Sequence, residues 1–234
     1  MNIIVTGASR GIGYATVHHL AREKTNAILA ISRNEPNLIQ LRDECQKLGN
    51  QNVLVKSFDL RNDDISVLLE TINECFSHLD ILINNAGALI NRPFAAVTKD
   101  EAHHVFDVNF FKPFELIQLT LPFLRLSKLA HVVNITSMAG FQGSSKYPGL
   151  SVYSSSKAAL TCLTECLASE FKDSNIRFNG LALGATRTEM LSEAFPGLNA
   201  PVNADTMGEY IARFSMHGHK VYNGAVLPVT ISNP

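Results

Sequence analysis

The chain has 234 residues, of which 46% are apolar and 18% charged, against the ~25% charged that is typical of soluble domains. That apolar content excludes a disordered chain, and no apolar run reaches the ~18 residues of a membrane helix. Twenty Lys and Arg against 21 Asp and Glu leave a net charge of −1, without the positive surplus that a nucleic-acid binder needs.

The length suits one core and is short for two domains, so residues 1–234 read as a single domain. Four cysteines, at positions 45, 75, 162 and 166, are too few and too scattered for a disulfide scaffold. A strand pattern begins at residue 2 and leaves no room for a signal peptide, so a cytoplasmic setting is expected.

In chain order, short β-branched runs at 2–6, 27–32, 53–57, 81–84, 131–135, 177–183 and 225–229 read as strands. Helical patterns lie between them at about 12–24, 36–49, 62–77, 99–127, 151–173 and 204–216. Strands that are apolar nearly throughout are covered on both faces. Their alternation with helices predicts a doubly wound α/β fold around a parallel sheet, with ligands bound beyond the carboxyl ends of the strands.

The first strand runs into Thr6-Gly7-Ala8-Ser9-Arg10-Gly11-Ile12-Gly13 and then a helix. Glycines at a strand-to-helix turn allow tight geometry and let backbone N–H groups approach a pyrophosphate at the helix N-terminus. The spacing is G-x-x-x-G-x-G rather than G-x-G-x-x-G, and a plain turn also favours glycine. The second strand ends Ser32-Arg33 with no carboxylate, although a fold that prefers NAD usually places one there for the ribose hydroxyls. Arg33, with Arg10 in the glycine turn, can pair with a 2′-phosphate; two solvated arginines are the alternative. Asp59 follows the third strand, where it can contact a ligand or cap the helix beginning near Arg61. After the fourth strand comes Asn84-Asn85-Ala86-Gly87. Its small residues admit close backbone approach to a ribose, and its Asn side chains can tie neighbouring strands.

Tyr153 and Lys157 lie one helical turn apart and share a face. An ammonium beside a phenol lowers its pKa and makes it a better proton donor and acceptor, although Y-x-x-x-K alone is often only an exposed pair. Ser137 closes the fifth strand at the carboxyl edge, where its hydroxyl can polarise a carbonyl oxygen; Thr136 is its neighbour. Pro113 has no N–H, so the carbonyl of Asn109 loses its usual helical partner and must find water or another group.

Together these motifs resemble the short-chain dehydrogenase/reductase family in order and approximate spacing, over roughly residues 2–190. The resemblance implies a Rossmann-type fold and a nicotinamide cofactor, with NADP(H) selected by basic residues at positions 10 and 33. It assigns catalysis to Asn109, Ser137, Tyr153 and Lys157. Cofactor contacts fall on Gly7, Ser9, Arg10, Gly11, Ile12, Gly13, Arg33, Asp59, Leu60, Asn85, Ala86, Gly87, Tyr153, Lys157, Thr186 and Thr188. It gives Lys157 a second bond to the nicotinamide ribose and the Asn109 carbonyl a water that relays protons. It also implies a homodimer or homotetramer built on the helices 99–127 and 151–173, where Leu160, Leu163 and Leu167 fit either an interface or a core.

Two departures stand out. Leu183 replaces the usual proline before Gly184, and the chain ends without Asp-Gly-Gly. The expected substrate is a small or medium apolar ketone, aldehyde or diketone. Ala88, Leu89, Ile90 and Phe94 would form one wall of its pocket and Met138, Phe141, Tyr147 and Leu150 the other, beneath a mobile lid at about 188–203. A reductase of carrier-bound oxoacyl chains is the alternative, and a non-catalytic NADP-sensing protein is an alternative of another class. Cys162 and Cys166 suggest buried packing or an interface. Neither they nor the His217-Gly218-His219 and His103-His104 pairs have the companions of a metal site, and no metal is expected.

Overall fold

The computed structural model describes residues 1–231. Strands β1 (Asn2–Thr6), β2 (Ala27–Ser32), β3 (Val53–Ser57), β4 (Ile81–Asn84), β5 (Ala130–Ser137), β6 (Ile176–Leu183) and β9 (Val226–Val229) form one sheet. The order is β3-β2-β1-β4-β5-β6-β9, and every pairing is parallel. A short parallel pair, β7 (Thr186–Arg187) with β8 (Val202–Asn203), stands apart from it. The helices are α1 (Gly11–Leu20), α2 (Glu35–Lys47), α3 (Ile65–Cys75), α4 (Lys99–Phe106), α5 (Lys112–Leu126), α6 (Ser151–Glu170), α7 (Glu189–Ala194) and α8 (Ala204–His217).

Successive residues of each central strand divide between two cores, as a period of two requires. Ile3, Val5, Ile28, Ala30, Ile81 and Ile83 pack with α1, α2 and α8 on one face. Ile4, Leu29, Ile31 and Leu82 pack with α3, α5 and α6 on the other. Each fully buried aliphatic side chain stabilises the fold by roughly 1.5–3 kcal/mol, so the sheet is held from both sides. Leu160 is buried and Leu167 packs on the second core, so these leucines of α6 serve the interior.

The chain reverses its direction of travel across the sheet between β1 and β4, which opens a crevice at their carboxyl ends. Two corrections concern the helices that flank it. The predicted helix 99–127 is interrupted by a π turn at Asp107–Phe111, where the Lys112 N–H reaches back to the Asp107 carbonyl; the missing N–H of Pro113 accounts for the break. The helix predicted from residue 62 starts at Ile65, capped by Asp64, whose side chain accepts from the Ser66 N–H at 2.9 Å. Asp59 instead accepts from the Arg61 N–H and the Asn62 side chain within its own turn. The sequence reading missed α7, β7 and β8 altogether, and its last three positions lie outside the described residues.

Candidate active site

Thr6 ends β1, and its hydroxyl accepts the N–H groups of Asn85 at 3.1 Å and Ala86 at 3.0 Å. The Asn85 side chain donates to the carbonyls of Thr6 and Gly7. Asn84 donates across to Asn134 on β5 at 2.8 Å, and Asn134 donates on to Thr164 of α6. The Asn84–Gly87 loop therefore ties β1, β4 and β5 together, as its asparagines suggested.

The glycine turn is packed to its limit. Gly7 has φ +68°, and a Cβ there would stand 2.8 Å from Ala86 Cα; a Cβ on Gly13 would stand 2.3 Å from the Gly7 carbonyl oxygen. Gly11 also takes a positive φ and faces Thr188. The first turn of α1 has neither an acidic residue nor a side-chain cap, so its leading N–H groups have no side-chain acceptor at the cap. Ser9 and Ser32 share a hydrogen bond of 2.8 Å, bringing the glycine turn against the end of β2. Burial works to raise the Asp59 carboxyl, but hydrogen bonds from Arg61 and Asn62 and the charge of Arg33 outweigh it and hold it below the ordinary range. Arg10 is engaged across the crevice by Glu193 of α7 at 2.9 Å.

At the other end lies a buried polar cluster. Asn109, fully buried, accepts the Ala88 N–H at 2.8 Å and donates to the Ala88 carbonyl and to Ser156 Oγ, each at 2.9 Å. Ser156 donates to the Tyr153 carbonyl at 2.7 Å. These bonds occupy the Asn109 side chain and dedicate it to joining the loop after β4 to α6. Lys157, also buried, donates to the Ile135 carbonyl at 2.8 Å. Its Nζ is 3.7 Å from where a Cβ on Gly87 would lie. Ser137 ends β5 and accepts the Ala139 N–H. Gly140 admits the approach of α6, since a Cβ there would stand 2.6 Å from the Ala158 nitrogen.

The electrostatics of the pair differ from the sequence expectation. Burial pushes the Tyr153 phenol up, while a hydrogen bond with Ser137 pulls it down. Burial lowers the Lys157 ammonium to about 8. In the free protein, desolvation rather than the neighbouring cation therefore governs the phenol.

The structure brings Asn109 and Lys157 together beside Gly87 and joins Tyr153 to Ser137, while the glycine turn packs against the neighbouring Ala86. Thr188 caps α7 through the Leu191 N–H, and Thr186 is buried on β7. The expected substrate walls are less uniform. Phe94 is 79% and Tyr147 50% exposed, whereas Leu150 is buried. A groove of about 600 Å³ lies between the start of α1 and α7, lined by Gly11, Tyr14, His18, Thr188, Glu189 and Asp205 among others. Cys162 and Cys166 are both exposed, which corrects the expectation of buried packing. Among the described residues no group of three or more His, Cys, Asp or Glu is placed to hold a metal. Sequence reasoning missed Ser156; its only signal was a polar residue at a core-facing position beside Lys157.

A profile of the short chain dehydrogenase family matches residues 1–199. The chain belongs to this family. An uncharacterized oxidoreductase of Staphylococcus saprophyticus is 35% identical over 191 residues, 80% of this chain and 75% of that one. Ketoacyl reductase HetN of Nostoc is 32% identical over 183 residues, 78% of this chain and 62% of its own length. A short chain dehydrogenase of Shigella flexneri complexed with NADP superposes with a TM-score of 0.88 at 26% identity, covering 97% of this chain and 95% of that one. A 4-hydroxyisoleucine dehydrogenase mutant complexed with NADH and succinate gives 0.84 at 28% identity, covering 98% and 96%. Family membership makes the chain an oxidoreductase with the Rossmann fold and a nicotinamide cofactor. No helix among the described residues is long and apolar enough to cross a membrane.

Proposed function

We propose that this oxidoreductase is an NADPH-dependent carbonyl reductase acting on a small or medium apolar ketone, aldehyde or diketone. The observation that carries the reading is the hydrogen bond between Tyr153 and Ser137, with Lys157 one turn on directing Nζ toward Gly87, in a loop packed against a glycine turn that has no room for a Cβ at Gly7 or Gly13.

The donor set fits the cofactor. The backbone of Gly7, Ser9, Gly11, Ile12 and Gly13 would hold the pyrophosphate at the start of α1. Arg10 and Arg33 would take the 2′-phosphate, since no carboxylate closes β2 to bind a free ribose hydroxyl. Asp59 and Leu60 would flank the adenine, and Asn85, Ala86 and Gly87 a ribose. Thr186 and Thr188 would meet the nicotinamide end. One structural relative carries NADP and another NADH, so the arginines, not the family, support the choice.

When bound, the reduced nicotinamide supplies a hydride to the carbonyl carbon. Tyr153 releases its phenolic proton to the carbonyl oxygen, giving the alcohol, and the raised phenol pKa keeps that proton in place until charge develops there. Ser137 donates a hydrogen bond to the same oxygen. Lys157 stabilises the phenolate that results. The Asn109 carbonyl, whose helical donor Pro113 removes, is free to hold a water that returns the proton through Lys157.

Reduction of carrier-bound oxoacyl chains is the second reading, favoured by the relative named a ketoacyl reductase. We place the protein in the cytoplasm as a homodimer or homotetramer, with residues 188–203 as a lid on its single domain. The test follows NADPH and NADH consumption with ketones, aldehydes, diketones and oxoacyl thioesters. The proposal expects NADPH to be preferred and simple carbonyls to turn over. A preference for NADH would overturn the arginine assignment, and turnover of thioesters alone would favour the second reading.

A further inference from the structure

We propose that Glu193 is a cofactor-specificity residue, which competes with the 2′-phosphate of the dinucleotide for Arg10. The inference rests on the reading that Arg10 helps to hold that phosphate. Glu193 Oε1 lies 2.9 Å from Arg10 Nη1, joining α7 to the glycine turn across 183 positions of sequence. The side chains are 45% and 66% exposed, so the pair is weak and readily exchanged.

One turn earlier on α7, Glu189 directs Oε2 to within 3.6 Å of the Cβ position of Gly11. The helix thus presents two carboxylates to a turn built to receive anions. It is bracketed by the β7–β8 pair and tied at its end by Asn91, which donates to the Ala194 carbonyl at 2.9 Å. A phosphate near −2 cannot share the Arg10 guanidinium with Glu193 without like-charge repulsion. Entry of a 2′-phosphorylated cofactor therefore releases Glu193 and with it the contact between α7 and the glycine turn. A cofactor without that phosphate leaves the pair in place. The two carboxylates have separable roles: Glu189 faces the pyrophosphate position and affects either dinucleotide, whereas Glu193 affects only the phosphorylated one.

Isothermal titration calorimetry with NADPH, NADH and 2′,5′-ADP, on the wild type and Glu193→Gln, tests this without turnover. Glu193→Gln is expected to tighten NADPH and 2′,5′-ADP by about two- to fivefold, the range of an exposed ion pair, and to leave NADH unchanged. The gain should vanish at high salt and in the Arg10→Gln background, where a double-mutant cycle isolates the coupling. Equal tightening of NADPH and NADH, or no change in either, overturns the competition. The single variant Arg10→Gln separates the two ideas. If it leaves the NADPH to NADH affinity ratio unchanged, the 2′-phosphate assignment of Arg10 fails and the competition fails with it. If it weakens NADPH while Glu193→Gln changes nothing, only the competition fails.

Discussion

Around Asn109 the contacts are buried and uncharged, whereas around Arg10 the contact is exposed and ionic. Both regions border the same crevice, yet their chemistry asks different things of them. Proton transfer needs Tyr153 and Lys157 fixed to within fractions of an ångström, and hydrogen bonds away from water supply that rigidity. A cofactor must enter and leave, and a screened surface ion pair yields at little cost. The comparison teaches that burial sets the tolerance of each half: one is fixed by geometry, the other by charge.

The largest break expected is Gly13→Ala. Its Cβ would stand 2.3 Å from the Gly7 carbonyl oxygen, so either the turn or α1 must shift. Calorimetry should show NADPH binding lost or weakened by more than tenfold; unchanged binding would mean that the turn is not the pyrophosphate site.

Next comes Asn109→Ala, which leaves the Ala88 N–H without its partner and takes a donor from Ser156. A buried group stripped of its hydrogen bond costs roughly 1–3 kcal/mol, read as a lower urea midpoint, with activity falling as the α6 anchor loosens. A variant as stable as the wild type would show that this cluster is not the rigid half.

A smaller effect tests burial away from the site. His131 of β5 is fully buried; its Nδ1 bonds the Ser215 carbonyl, its Nε2 bonds Asn179, and His219 lies beside it. Burial lowers it from 6.5 to about 3, with the Ser215 carbonyl opposing and His219 assisting. Between those values the unfolded chain binds a proton that the fold refuses. Stability is therefore full above pH 6.5 and falls as the pH drops toward 3, by up to about tenfold in the folding equilibrium per pH unit. His131→Gln should flatten that slope in urea titrations at pH 7 and pH 5, and an unaltered slope would assign the acid sensitivity elsewhere.

Much of this was legible in the sequence, and the exceptions share a cause. The strands could be read because a sheet covered on both faces needs continuous apolar runs, such as Ile81–Asn84 between turn residues. The motif residues could be read because their spacing carries the chemistry, and Pro113 marked the Asn109 carbonyl as one without its helical donor. What stayed hidden depends on partners far away in sequence. The elevation of Tyr153 comes from burial that no local spacing encodes. The six residues of α7 carry too little periodicity to register, and the partnership of Glu193 with Arg10 exists only once the fold has closed.

The most direct test of the account compares turnover and binding in Tyr153→Phe, which removes only the phenolic oxygen. NADPH oxidation with the best carbonyl substrate should fall by about 10²- to 10⁴-fold, while the NADPH dissociation constant measured by calorimetry changes little. Turnover retained at near wild-type rates would contradict the assignment of Tyr153 as the proton donor.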